Sequence, residues 1–169
     1  MPNIPAARRA LLAGVLALLG AASCDDDKPG PPPELALAVT PNPVFFSVLP
    51  PNSPPRESIP PCCATLVAGW TLMVTPTTEG DLQSATVTIH NRATGYLYVN
   101  RTFDANQLAT QIPTHVRGGA PVSIIQALLE TMPPEFSSDE PLLLRVEVAF
   151  RGGGRTVTTT IEPVFHLAP

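Results

Sequence analysis

The sequence predicts an all-β fold, two antiparallel sheets packed as a sandwich with one short helix, on three grounds. From residue 65 onward, apolar and polar side chains mostly alternate at period two. Two pairs of such runs are joined by short, glycine-containing connections and match one another as hairpins. Proline supplies 22 of the 169 residues, too many for a helical bundle. With 44% hydrophobic residues, the chain is also too apolar to remain unfolded throughout. Its length suits one ordinary domain with extensions, which excludes a large multidomain enzyme.

The first 23 residues read as an address. Arg8 and Arg9 precede an apolar run at 10–22, shorter than the roughly 20 residues a membrane-spanning helix needs. A basic flank followed by such a run matches a secretory signal peptide. The run closes on Ala21-Ala22-Ser23-Cys24, with Asp25-Asp26-Asp27 directly after it. Small residues followed by cysteine resemble the lipobox of bacterial lipoproteins, with Ala21 where that family usually has leucine. The resemblance covers residues 1–24 and implies that Cys24 is acylated and becomes the first mature residue. It further implies an exported, membrane-anchored protein of the bacterial cell envelope, facing the periplasm or the surface. Ordinary signal peptidase cleavage after the same small residues would instead release a soluble protein.

Residues 24–61 read as a proline-rich tether. Fourteen of the 22 prolines lie in the first 61 residues, ten of them in clusters at 29–33 and 50–61. Consecutive prolines stiffen the chain as polyproline II and withhold backbone donors. Between the clusters, the apolar stretch near 35–48 allows an edge strand, where proline is tolerated. Its segment Val39-Thr40-Pro41-Asn42-Pro43-Val44-Phe45-Phe46 resembles the opening strand of bacterial immunoglobulin-like modules. The sandwich itself is expected at 62–169.

In the strand at 65–74, Leu66, Ala68, Trp70, Leu72 and Val74 share one face, which makes Trp70 a core residue. The runs 84–90 and 96–103 form a hairpin around 91–95. Matching apolar to apolar residues sets Thr88 opposite Tyr98, Thr86 opposite Asn100 and Ile89 opposite Leu97. A second hairpin pairs Val146 with Ile161, Val148 with Thr159 and Phe150 with Val157, and sets Arg145 beside Glu162. Gly152-Gly153-Gly154 supplies its turn. Residues 121–132 are the expected helix. Val122, Ile125, Leu128, Leu129 and Met132 fall on one helical face, and Pro133-Pro134 stop it. Six strands, a weaker seventh and one helix fit the size of an immunoglobulin-like sandwich.

Few residues carry chemistry. A formal charge of −4, with Lys28 as the single lysine, leaves no basic surface for nucleic acid. His90, His115 and His166 stand outside any zinc motif, and neither a nucleophile elbow nor a phosphate loop occurs. No cofactor or metal is therefore expected, and a catalytic role is not. The adjacent Cys62 and Cys63 read either as small buried residues, or as a vicinal redox disulfide, a soft-metal site or links to another chain. The remaining candidate surface is the polar face of the first hairpin: Thr86, Thr88, His90, Tyr96, Tyr98 and Asn100. Tyrosines beside hydroxyl and amide groups suit a sugar or a protein surface. The expectation is a lipid-anchored, non-catalytic binding or structural module for an envelope protein or glycan. The alternative is a thiol-dependent redox or metal-handling lipoprotein using Cys62 and Cys63.

Overall fold

The computed structural model describes residues 33–50 and 63–169. The expected signal sequence, the expected attachment site at Cys24, both proline clusters except their last or first residue, and Cys62 lie outside the described residues. Along the described chain run β1 (Leu35–Thr40), β2 (Val44–Leu49), β3 (Thr65–Pro76), β4 (Gly80–Asn91), β5 (Leu97–Asp104) and α1 (Ala105–Ala109). They are followed by β6 (His115–Val116), β7 (Val122–Thr131), β8 (Leu142–Gly152), β9 (Arg155–Ile161) and β10 (Phe165–Leu167). The result is a mostly antiparallel, two-sheet, all-β protein.

The first sheet is built on β3. Along one side, β1 pairs with the C-terminal half of β3 and β2 with the N-terminal half, while β7 follows the other side. Pro41 and Pro43 have no N–H to donate, so the edge ladder breaks between β1 and β2. At the break the Val44 N–H turns to the Val164 carbonyl (2.8 Å), and β10 then runs parallel to β2. The apolar stretch near 35–48 is thus two hydrogen-bonded strands, and the sandwich begins at β1 rather than at residue 62.

The second sheet has the order β5-β4-β8-β9, with β6 on the start of β4. Inward-facing Trp70, Leu72 and Val74 of β3 and Ile124 and Leu128 of β7 pack in one core with Val87 and Ile89 of β4 and Val146, Val148 and Phe150 of β8. The β8–β9 register is the one the sequence predicts, and Arg145 donates to Glu162 at 2.6 Å. Gly152 is a strand residue, and the turn uses Gly153 and Gly154, both at positive φ (54° and 75°).

The expected helix at 121–132 is instead the strand β7, ten residues in unbroken register with β3. Val122, Ile124, Ile125, Leu128 and Leu129 satisfy a helical and an alternating pattern alike. The long free edge of β3 settles the matter, because its backbone groups need partners and β-branched residues fit a pleated surface. The one helix among the described residues, α1, begins where Asp104 accepts from the Gln107 N–H (2.9 Å) and Gln107 accepts from the Asp104 N–H (2.9 Å). That reciprocal cap turns the chain out of β5 and plugs Leu108 into the core.

The β4–β5 register differs from expectation by two residues. Thr88 faces Asn100, Thr86 faces Thr102 and Ile89 faces Val99, with a bulge between Ile89 and His90. Ile89 is fully buried, whereas Leu97 is 44% exposed rather than packed across from it. The turn accounts for the shift. Asn91 Oδ1 accepts from the Ala93 and Thr94 N–H groups (2.8 and 3.0 Å), and the Asn91 N–H reaches the Tyr96 carbonyl (2.8 Å). The closing pair is therefore Asn91–Tyr96, and the bulge takes up the odd residue.

His115 fastens β6 to the entry of β4: its Nδ1 lies 2.8 Å from Asp81 and its Nε2 2.8 Å from Glu79. The hydrogen bond to Asp81 first, then that to Glu79, raises its pKa above the ordinary histidine value. A raised folded pKa gives stability that is fully present below about pH 6.5 and lost as pH rises through the raised value. The melting temperature of the wild type should accordingly fall across that interval, relative to its trend, while His115→Ala loses the step. Superimposable pH profiles for the two proteins would show that the contact adds nothing.

Candidate functional site

The end of the β4–β5 hairpin meets the loop between β7 and β8, and the two line an open surface pocket of about 540 Å³. Asn91, Thr94, Gly95, Tyr96 and Tyr98 line it from the hairpin, Glu135 and Glu140 from the loop. Gly95 takes φ 74°, a conformation that lets the tight turn deliver Tyr96 to the rim.

Glu140 organises this corner. One oxygen accepts from Asn91 Nδ2 (2.6 Å) and from the Tyr98 hydroxyl, and the other from the Ser137 N–H (3.1 Å). The Arg92 N–H adds a bond to the Pro141 carbonyl (2.7 Å) and ties the hairpin turn to the same loop. The Tyr98 hydrogen bond is the main influence holding the Glu140 carboxyl below the usual glutamate range. Burial, then the Glu140 hydrogen bond, pushes the Tyr98 phenol upward, so the proton stays on tyrosine and the charge on glutamate.

The aromatic rings form a short stack. Tyr98 sits edge-on to Phe136, with centroids 5.4 Å apart, and Tyr96 leans on Tyr98 at 4.9 Å. Tyr98 is half-buried and fixed, whereas Tyr96 is 53% exposed and offers an open ring surface. A rigid aromatic wall with carboxylate, amide and hydroxyl groups at its rim can stack a flat apolar ring face and direct hydrogen bonds around it.

Of the six hairpin residues singled out in the sequence, only Tyr96 and Tyr98 line this pocket. Thr86, Thr88 and Asn100 lie further along the sheet, where Thr86 and Thr102 share a hydroxyl hydrogen bond of 3.0 Å. His90 is half-buried at the bulge. Asn91, Glu135, Phe136 and Glu140 complete the corner. Asn91 was legible as an Asx-turn residue, while Glu140 meets Tyr98 across 42 positions and has no local signature.

Cys63 precedes β3, is 7% exposed and is disulfide-bonded. The other two cysteines of the chain, Cys24 and Cys62, lie outside the described residues. Among the described residues, no group of three or more His, Cys, Asp or Glu side chains is placed to hold a metal ion. No described helix is long and apolar enough to cross a membrane. No protein-family model matches the chain, and no curated protein matches it.

Proposed function

We propose that this is an exported, lipid-anchored bacterial envelope protein whose sandwich binds an envelope glycan, without catalysis, at the Tyr96–Tyr98 corner. The observation that carries the reading is the exposed Tyr96 ring, backed by Tyr98 and held in place through Glu140. Glu140 spends its oxygens on three donors within the protein, which suits a structural anchor and not a general base. The strand order β1/β2-β3-β7 against β5-β4-β8-β9 supports an immunoglobulin-like class for the sandwich.

Two measurements test the proposal. Full-length protein should co-sediment with purified peptidoglycan sacculi, and Tyr96→Ala should weaken this by about tenfold, the value of one lost stacking contact. Thr158→Ala, on the far strand of the sheet, should bind as the wild type does. Wild-type protein that stays in the supernatant refutes the glycan reading and leaves an envelope protein as the ligand. For the anchor, Cys24→Ala should abolish fatty-acid labelling, and equal labelling of the two proteins refutes it.

The disulfide at Cys63 favours stating the thiol reading as the alternative. Burial of Cys63 argues for an inert, structural bond. Substituting Cys62 and Cys63 together should leave sacculus binding unchanged, and loss of binding in a folded variant would favour the thiol reading.

A further inference from the structure

The two outer faces of the sandwich differ in charge. That of the second sheet carries Arg145, Glu147 and Arg151, all exposed. On the first sheet, every outward-facing side chain of β1, β2, β3 and β7 is uncharged. Phe45, Leu49, Met73, Ile125 and Leu129 stand exposed there, Ile125 at 73%. His166 of β10 sits at the rim beside Phe45. A contiguous uncharged face of this kind on a folded domain marks a contact surface.

We infer that this face is covered by the same face of a second copy of the chain, giving a two-fold dimer. Two features select that occupant. The first is relief. Gly69 of β3 pairs with Ala127 of β7 to make a low row, flanked by Thr71 with Ile125 on one side and Val67 with Leu129 on the other. One face thus holds both ridges and the furrow that receives them, and an isologous contact needs that self-complementarity. The face itself carries no charge, and Arg101 at its edge beside Ile125 and Ala127 is already paired with Glu130, so the face meets its own copy without repulsion or a buried unpaired ion.

The second feature is area. Three strands at about 4.8 Å spacing and up to about 40 Å in length present about 600 Å² per copy. A face-to-face pair would bury about 1,200 Å² in all, the lower bound for a specific, stable interface. The contact lies on the opposite side of the sandwich from the outer face of the second sheet, and it is independent of the Tyr96 corner.

Sedimentation equilibrium of the full-length protein in mild detergent tests the inference. The wild type should sediment at twice the monomer mass at micromolar concentration. Gly69→Glu should raise the dimer dissociation constant at least tenfold and melt as the wild type does at concentrations where both are monomeric. A Cβ at Gly69 meets only the Gln126 carbonyl oxygen, at 3.8 Å, so the monomer has room for it. Ile125→Glu, outside the core, should act alike, and Thr158→Glu on the second sheet should leave the dimer intact. A monomeric wild type overturns the inference. Binding of its Cys24→Ala form to phosphatidylcholine vesicles, abolished by Ile125→Glu, would identify a lipid surface as the occupant, and its absence would leave residues 51–62 of the chain itself. A dimer that survives both Gly69→Glu and Ile125→Glu would place the contact elsewhere and overturn it equally.

Discussion

Phe150→Ala is expected to remove about 4 kcal/mol from the free energy of unfolding, within the range for deletion of a buried phenylalanine. The ring is fully buried and lies over the paired Gly80 and Gly152 of the two central strands of the second sheet. A Cβ built on either glycine would come within 2.7 Å of it. These two neighbours of the ring therefore have no side chains that could relax into the space it vacates. Deletion leaves a void against bare backbone, the arrangement in which the cavity cost is largest. For a domain whose total stability is roughly 5–15 kcal/mol, that loss is a large fraction. Urea denaturation measures it, and a loss under about 1.5 kcal/mol would show that the core collapses around the site. The pairing also accounts for the glycines themselves, since Gly80→Ala would drive a methyl group to within 2.2 Å of the Arg151 carbonyl oxygen.

Glu140→Ala should cost about 2 kcal/mol and weaken sacculus binding by about tenfold. One carboxylate holds Tyr98, Asn91 and the Ser137 N–H, and its removal strands one buried and one half-buried side-chain donor. Hydrogen bonds to charged groups contribute about 1.5–3 kcal/mol each, reduced here by partial exposure. The loop from β7 to β8 then loses its hold on the hairpin, and the Tyr96 ring loses its fixed support. Acid should reproduce part of the effect. The Glu140 pKa is depressed in the folded protein, so its contribution is present above the ordinary glutamate value and is lost as pH falls through the lowered one. Wild-type stability should consequently drop toward that of Glu140→Ala below about pH 4. A difference between the two that persists unchanged into acid would show that the carboxylate charge is not what holds the loop.

Several features were legible in the sequence because they rest on local chemistry. Period-two alternation identified β3, β4, β8 and β9, and the inward position of Trp70. In the β8–β9 hairpin, the apolar matching and a charge-complementary end pair predicted the register that is observed, although Gly152, expected in the turn, belongs to the strand. The all-β sandwich follows from those strands alone.

Other features were decided only when the chain folded on itself. A register shift of two residues leaves every side chain on its face, so alternation could not choose between pairing Thr88 with Tyr98 or with Asn100. Asn91 made that choice by closing the turn on Tyr96. Residues 122–131 satisfied two periodicities at once, and the open edge of β3 turned them into a strand. Proline content placed 35–48 within the tether, with at most an edge strand there, yet β3 pairs with the chain on both sides of Pro41 and Pro43 and makes it part of the sheet. The Tyr96 corner depended on Glu140, 42 positions from Tyr98. Burial and hydrogen bonding join residues by distance in space, and a periodicity read along the chain carries no record of it.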